Sequence, residues 1–191
     1  PRSTLFPYTT LFRSGEGGEQ PLSTSWVQAG TPMVGEAFLH LYTATGDSRL
    51  LKGALAAGHC LEYGQLQSGG WAYSIEHDPA RVKDWYHHLG EAGKGKRNTT
   101  TFDDDNTQSA TRFLMELDRH VDDPRIDGAI ARALDCFLKA QYREGPWDGS
   151  WPQRYPPPES GYGAYPTFND GTMGDCRSEE HTSELQSPNT N

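Results

Sequence analysis

The sequence predicts an all-α fold, a partial (α/α) toroid or barrel built of repeated helical hairpins. Three observations predict it. Four segments carry the 3.6-residue hydrophobic period of an amphipathic helix, the segments form two similar pairs, and each pair ends in the same short motif. A hairpin of two amphipathic helices cannot bury its apolar faces alone, so repeated hairpins must stack or close into a ring.

The four predicted helices each have one apolar stripe. They span Thr31–Thr45, Asp47–Gln65, Asn106–His120 and Asp123–Gln141. The stripes are Val34, Ala37, Phe38, Leu41 and Tyr42 in the first; Leu50, Ala54, Ala57 and Leu61 in the second; Ala110, Phe113, Leu114 and Leu117 in the third; and Ile126, Ile130, Ala133 and Phe137 in the fourth.

The helix starts carry capping signals. Thr31-Pro32 and Asp123-Pro124 each combine a capping side chain with a proline at the first helical position, where the missing N–H costs nothing. Asp47 is predicted to cap the second helix without a proline.

The two hairpins are related by a constant offset, which defines units of about 31–71 and 106–147. Asp47, Arg49, Cys60, Gln65, Gly69 and Trp71 recur 76 residues later as Asp123, Arg125, Cys136, Gln141, Gly145 and Trp147. The repeated end has the form QxxxGxW, which resembles the QW motif of triterpene cyclases and related α/α toroids. We expect a structural role: the glycine ends the helix in a left-handed turn, the tryptophan folds back on the helix, and the glutamine binds freed backbone groups.

Composition and charge exclude some classes of function. The net charge of −9 argues against a nucleic-acid partner, because phosphate binding needs a basic patch. No apolar run is long enough to span a membrane. Cys60, Cys136 and Cys176 have no metal-type spacing, and we expect buried free thiols.

Both ends of the chain differ in character from its middle. Thr4–Ser14 and Arg177–Ser187 resemble translations of two sequencing adapters. We therefore interpret residues 1–14 and 177–191 as non-native tails, expect them to pack poorly, and exclude them from the fold. Residues 15–176 are then a fragment whose ends need not be domain ends.

Two polar stretches break the helical pattern and are candidates for a functional site. Thr99–Thr107 contains three adjacent aspartates, which a fold keeps together with solvent, a cation or pKa adjustment, or uses to decorate a helix N-terminus. Residues 149–174 form a long loop rich in proline and aromatic residues. In this loop, aromatic rings can stack on sugar faces, and Arg154 can pair bidentately with a uronate carboxylate.

These two stretches resemble the family-ten pectate lyases. Residues 149–156, GSWPQRYP, and residues 167–173, TFNDGTM, are similar to the GGWPQxYP and TFNDGxM segments of that family. Residues 102–114, FDDDNTQSATRFL, are similar to its DNxAT…RFL segment, with Asp104 where asparagine is usual and Asn106 where a small residue is usual.

The resemblance implies a function and a set of site residues. It implies a secreted or periplasmic, monomeric enzyme that cleaves polygalacturonate by β-elimination with calcium bridging protein and substrate. The catalytic and calcium-binding residues would be Asp103, Asp105 and Asp170. The substrate-binding residues would be Trp151, Gln153, Arg154, Tyr155 and Asn169. The family's catalytic base is an arginine downstream of the TFND segment, so we expect this fragment to lack its base and to be inactive alone.

Other readings of the same features stay open. A non-catalytic helical glycan-binding protein would need the same aromatic and charged surface. A triterpene-cyclase-like toroid would explain the QW motifs, with residues 103–106, DDDN, close to the DxDD motif of those enzymes, although the polar loop suits a polyprenyl pocket poorly. A hydrolase with paired carboxylates is a further alternative.

Overall fold

Two helical hairpins carry the core of the protein. The computed structural model describes residues 14–15, 18–19, 23–28, 30–82, 98–168 and 171–178. The helices are α1 (Thr31–Thr45), α2 (Ser48–Gly64), the short α3 (Pro79–Val82), α4 (Asn106–Asp118), α5 (Pro124–Ala140) and α6 (172–178). The prediction of a mostly helical fold is confirmed, whereas closure into a toroid stays a prediction.

Within the described residues, six strands of two or three residues form three antiparallel pairs. They are β1 (Ser14–Gly15), β2 (Gly18–Glu19), β3 (Thr24–Trp26), β4 (Ser74–Glu76), β5 (Thr100–Thr101) and β6 (Arg154–Tyr155). The antiparallel pairs are β1–β2, β3–β4 and β5–β6. Strands were not predicted, because two or three residues are too few to show a period-2 pattern.

The short strands extend the repeat beyond the helices. In each unit, a strand before the first helix pairs with a strand after the second, giving β3-α1-α2-β4 and β5-α4-α5-β6. Beside these pairs the backbone bonds also correspond: Val27 N–H donates to the Tyr73 carbonyl, and Phe102 N–H donates to the Gln153 carbonyl. Each unit therefore returns its outgoing chain to the start of its own first helix.

Three of the four predicted apolar stripes line the core. Ala54, Ala57 and Leu61 of α2 are buried, and so are all four predicted residues of α4 and of α5. The stripe of α1 is wrong: Leu41 is exposed, and the buried residues are Pro32, Gly35 and Leu39. A Cβ on Gly35 would lie 2.1 Å from the Phe113 ring, so α1 meets α4 through a residue that has no side chain.

The caps of the two second helices are as predicted. The carboxylate of Asp47 accepts a hydrogen bond from Arg49 N–H, and that of Asp123 accepts one from Arg125 N–H, both at 2.9 Å. The capping role of Thr31 is wrong. Thr31 is the first helical residue, and its hydroxyl donates to the Trp26 carbonyl at 3.0 Å. All three cysteines are free and buried, as expected.

The first QxxxGxW motif ties the two hairpins together. The amide of Gln65 donates to the carbonyls of Gly69 at 2.7 Å and Ala129 at 2.8 Å, and its oxygen accepts from Arg132 Nε at 2.8 Å. Trp71 is fully buried, and its indole N–H donates to the Leu61 carbonyl at 2.8 Å. The structural role predicted for this motif is therefore present.

The second motif has a different register from the predicted one. Trp147 is 46% exposed, whereas Trp151 is 2% exposed and donates its indole N–H to the Phe137 carbonyl at 2.8 Å. Gln141 donates to the Gly149 carbonyl at 3.3 Å. Seven residues separate Gln141 from Gly149, whereas three separate Gln65 from Gly69. This four-residue insertion moves the glycine and tryptophan of the motif from Gly145 and Trp147 to Gly149 and Trp151.

The predicted tails lie largely outside the described residues. Residues 1–13 and 179–191 are not described, so their packing is not tested. Helix α6 buries Cys176 and continues to residue 178, two residues into the segment interpreted as translated adapter.

Candidate functional site

The β5–β6 pair brings the two candidate stretches into one site. Thr101 is the register partner of Arg154, and the next residue, Phe102, bonds to the Gln153 carbonyl. Arg154 Nη2 consequently lies 3.9 Å from the carboxylate of Asp103, 51 positions earlier in the chain. The loop after the second hairpin therefore returns to the start of α4 at Arg154.

The three aspartates form a tight turn immediately before α4. Asp103–Asp105 is a 3-10 turn in which Asp104 and Asp105 both have left-handed backbone conformations, with φ of 53° and 56°. Aspartate and asparagine adopt this region more readily than other residues with side chains, but two in succession are unusual. Such backbone conformations cost about 1–3 kcal/mol each and concentrate at functional sites.

Tyr73 holds two of these carboxylates together. Its hydroxyl lies 2.9 Å from Asp103 Oδ2 and 3.1 Å from Asp104 Oδ2. Burial, followed by the hydrogen bond to Asp103, raises the pKa of Tyr73 well above its ordinary value. The phenol therefore stays neutral at physiological pH and is available as a hydrogen-bond donor between adjacent negative charges.

Aromatic and cationic groups surround Tyr73. The Trp26 ring stacks on Tyr73 with centroids 6.0 Å apart and planes 16° apart. The guanidinium carbon of Arg154 lies 5.2 Å from the centroid of the Tyr73 ring, within the range of a cation–π contact. Because Trp26 ends β3 and Tyr73 directly precedes β4, the first repeat supplies the aromatic part of the site.

The third aspartate has a separate partner. Asp105 forms an ion pair with Arg112, one turn into α4. Burial and the negative charge of Asp105 raise the pKa of Asp175 on α6, while Arg112 opposes that shift. A second carboxylate thus lies in the field of the Asp105–Arg112 pair.

The residues that would hold calcium are only partly assembled by the described chain. Asp105 Oδ1 and Asn106 Oδ1 are buried and have no hydrogen-bond partner within the described residues, and oxygen atoms of this kind suit calcium. In the same described ranges, no group of three or more histidine, cysteine or acidic residues could hold a metal. The donors fit a site that needs further oxygen ligands, such as substrate carboxylates.

The structure brings only some of the predicted site residues together. Asp103, Asp105 and Arg154 lie at one site. Asn169 and Asp170 lie outside the described residues, so the predicted proximity of Asp170 to the cluster is not tested. Tyr155 is partly buried against the second core cluster, which contains Phe102, Cys136, Phe137, Ala140, Trp151 and Cys176.

Two of the predicted substrate-binding residues are corrected. Trp151 is buried under Phe137, and a buried ring has no free face for a sugar, so its role is the structural one that the sequence assigned to Trp147. Gln153 is also buried, with its backbone carbonyl committed to Phe102.

Four residues at this site were missed by sequence reasoning: Trp26, Tyr73, Arg112 and Asp175. A signal existed for Tyr73, because it lies two residues after Trp71, as Gln153 lies two residues after Trp151. This correspondence appears only when the two motifs are aligned with the four-residue insertion in the second one. Nothing in the local sequence distinguishes Trp26, since its contact with Tyr73 depends on the β3–β4 pair.

Comparisons with known proteins agree with these motifs. The family model described as pectic acid lyase matches residues 65–188. This match includes most of the segment interpreted as translated adapter after Cys176, so it does not support that interpretation. A search of curated protein sequences finds no match. Within the described ranges, no helix is long and apolar enough to cross a membrane.

A solved structure has the same fold. It is described as a family 10 polysaccharide lyase from Cellvibrio cellulosa, with 22% sequence identity and a TM-score of 0.50. The similarity covers 69% of this chain and 36% of that one, so this chain spans about a third of the length of the enzyme it resembles. Because the family model covers well over half of the chain and includes both motifs of the site, the chain belongs to the pectic acid lyase family.

Proposed function

We propose that this chain is part of a polysaccharide lyase that cleaves polygalacturonate by calcium-assisted β-elimination, as a secreted or periplasmic monomer. The observation that carries the proposal is the β5–β6 pair, which sets Arg154 beside Asp103 and Tyr73. The family match and the resemblance of both stretches to pectate lyases supply the substrate class.

Arg154 would bind the uronate carboxylate. Its side chain is partly exposed, and at 3.9 Å it is not tightly paired with Asp103. A guanidinium can bind a carboxylate through two parallel hydrogen bonds, which also fixes the orientation of the sugar ring. Positive charge at this carboxylate makes the adjacent C5–H more acidic by stabilising the enolate that forms when the proton leaves.

The reaction then balances as follows. A base takes the C5 proton, the electron pair of that bond forms the C4–C5 double bond, and the C4–O bond breaks. The departing oxygen takes a proton. The family resemblance assigns proton abstraction to an arginine after the TFND segment, so we expect residues 15–176 alone to bind polygalacturonate without cleaving it.

The charge of the site supports a divalent cation. Asp103, Asp104, Asp105 and Asp175 contribute −4 and Arg112 and Arg154 contribute +2, a formal sum of −2. A bound uronate makes the sum −3, which one Ca²⁺ would reduce to −1. Asp105 Oδ1 and Asn106 Oδ1 have no hydrogen-bond partner among the described residues, so these residues, with the Asp103 and Asp170 of the family pattern, are the proposed calcium ligands. When bound, calcium supplies further stabilisation of negative charge on the substrate.

Tyr73 is proposed as a positioning residue. Its neutral hydroxyl lies within hydrogen-bonding distance of Asp103 and Asp104, and its ring contacts the Arg154 guanidinium. Loss of the hydroxyl would leave two adjacent carboxylates without their shared partner, while loss of the ring would also free Arg154. We therefore expect Tyr73→Phe to weaken substrate binding less than Tyr73→Ala.

Equilibrium binding of oligogalacturonates to the full 191-residue chain tests the proposal. Arg154→Ala should lower the affinity about 10- to 100-fold, since hydrogen bonds to charged groups contribute about 1.5–3 kcal/mol. Arg154→Lys should retain part of it. Arg119→Ala, which removes an exposed arginine at the end of α4, is the matched control and should change little.

Three outcomes would contradict parts of the proposal. Equal affinities for the wild type and Arg154→Ala would show that Arg154 does not bind the substrate. Binding that is the same with calcium and with chelator, and unchanged by Asp105→Asn, would remove the calcium site. Unsaturated product, detected by its ultraviolet absorbance, from residues 15–176 alone would show that the base lies within them.

A further inference from the structure

Two exposed aromatic rings lie together on the connection that follows α5. Trp147 is 46% exposed and Tyr165 is 52% exposed, and their rings meet edge to face with centroids 6.3 Å apart and planes 67° apart. Neither belongs to the aromatic part of the site at Tyr73. Contiguous exposed apolar surface can mark an interaction site, and these two rings are in contact.

Hydrogen bonds of Tyr142, which follows the C-terminal end of α5, hold the backbone beside both rings. The Tyr142 N–H donates to the Ser150 carbonyl, and Gly149 N–H donates to the Tyr142 carbonyl, which closes the turn that carries Trp147. The Tyr142 hydroxyl donates to the Ala164 carbonyl at 2.6 Å, directly before Tyr165. The surface therefore exists before any ligand binds, which lowers the entropic cost of binding.

Trp147 does not occupy a core position. The core position that its place in the repeat predicts is filled by Trp151 instead, because of the four-residue insertion between Gln141 and Gly149. The insertion leaves a large indole in solvent at the 3-10 turn Gly145–Trp147. An exposed, positioned tryptophan without a packing role needs another reason to be there.

We propose that Trp147 and Tyr165 form a second sugar-binding surface, which takes uncharged pyranose rings of the same glycan. This inference rests on the proposed function, because it assumes a polysaccharide substrate. The apolar C–H face of a pyranose packs on an aromatic face, and the negative quadrupole of the ring attracts those C–H groups.

Charge selects among sugars at this surface. The exposed charged residues that flank the turn are Arg143, Glu144 and Asp148, a formal sum of −1. These flanking residues supply no excess positive charge for a free uronate. The stem of Arg154 lies beside Gly163, two residues before Tyr165, but its guanidinium lies at Asp103 and Tyr73. Methyl-esterified galacturonate carries no charge and presents the same ring. Free uronates of the polymer would thus bind at Arg154, and esterified units would bind at Trp147 and Tyr165.

Paired ligands and paired variants separate this inference from the proposed function. Affinities of the full 191-residue chain are measured for polygalacturonate oligomers and for their methyl esters. Trp147→Ala and Tyr165→Ala should weaken binding of the ester about tenfold or more, by analogy with base–aromatic stacking, and Trp147→Phe should weaken it less. Met33→Ala removes an exposed apolar side chain from α1 and is the control.

Each result decides between the two ideas. If Trp147→Ala and Tyr165→Ala bind the ester as the wild type does, the inference is overturned, whatever Arg154→Ala does to polygalacturonate. If they weaken the ester while Arg154→Ala leaves polygalacturonate binding unchanged, the inference stands and the role of Arg154 is wrong. If they reduce self-association in sedimentation experiments but not glycan affinity, the surface is a protein interface and the inference is overturned.

Discussion

The indole N–H of Trp151 donates a 2.8 Å hydrogen bond to the backbone carbonyl of Phe137, as Trp71 does to Leu61. The acceptors are 76 residues apart and the donors are 80 apart, so the insertion lies between the end of each second helix and its tryptophan. Trp147 and Trp151, the two tryptophans of the second motif, therefore have different roles. Trp151 supports the core, and Trp147 is free to contact a ligand.

Stability measurements on the two tryptophans test this separation. Trp151→Ala should lower the free energy of unfolding by about 3–5 kcal/mol, because it empties a large buried site and removes one of the two donors to the Phe137 carbonyl, leaving the Gln141 N–H. Trp147→Ala should change it by less than about 0.5 kcal/mol. Urea denaturation measures both, and equal losses for the two variants would contradict the register described here.

The two glutamines of the repeat offer a matched comparison. Gln65→Leu removes three hydrogen bonds, those to the Gly69 and Ala129 carbonyls and that from Arg132 Nε, each of which contributes about 0.5–1.5 kcal/mol. Gln141→Leu removes one long bond to Gly149, from a side chain whose oxygen already has no partner among the described residues. The Gln65 variant should therefore have the lower denaturation midpoint, and the reverse order would show that Gln65 does not join the hairpins.

Two helical glycines should respond oppositely to alanine. Gly35→Ala puts a Cβ 2.1 Å from the Phe113 ring, and overpacking of this kind costs about 1–3 kcal/mol. The nearest obstacle at Gly128 is the end of the flexible Arg132 side chain at 3.1 Å. Gly128→Ala should thus stabilise the protein by up to about 1 kcal/mol through helix propensity. Thermal denaturation of both variants checks the close α1–α4 contact, which a stabilising Gly35→Ala would refute.

His77 should make the stability depend on pH. Its Nε2 lies 2.7 Å from Ser25 Oγ across the β3–β4 pair, and burial lowers its pKa below the ordinary value of 6.5, with the Glu76 charge opposing. The unfolded chain therefore binds a proton at a higher pH than the folded chain. Between these two pKa values stability rises with pH, and it is lost as pH falls below about 6.5.

A pH series of urea midpoints measures this effect. His77→Gln should flatten the slope at pH values just below 6.5 relative to the wild type. The comparison uses the difference between the two proteins at each pH, so contributions from other titrating groups cancel. An unchanged slope in the variant would assign the pH dependence to those other groups.

Much of the fold follows from local sequence. Hydrophobic periodicity places α2, α4 and α5, because every third or fourth residue of an amphipathic helix must face the core. Asp47 and Asp123 mark the starts of α2 and α5, since a capping carboxylate needs only the next turn of backbone. The same reasoning fails at α1, where Gly35 makes the central contact and a hydrophobic pattern does not register a missing side chain.

The site depends on contacts that no local pattern contains. The motifs around Asp103 and Arg154 were visible in the sequence, but their meeting requires the β5–β6 pair, which joins segments more than fifty residues apart. Tyr73 and Trp26 come from the other hairpin and have no motif of their own at this site. The positions of these two residues depend on where the strand after each hairpin pairs. That pairing point depends on how many residues lie between the second helix and the strand.

The sequence alone therefore determined the helical class, the repeat of two hairpins and the presence of an acidic turn and a polar loop. These follow from periodicity and from chemically distinctive residues, which are local properties. The tertiary structure alone decided that Trp151, and not Trp147, fills the core, and that Tyr73 lies between Asp103 and Arg154. An insertion changes which residue occupies a given position in the fold but leaves the local sequence patterns the same. Such positions are therefore decided by packing.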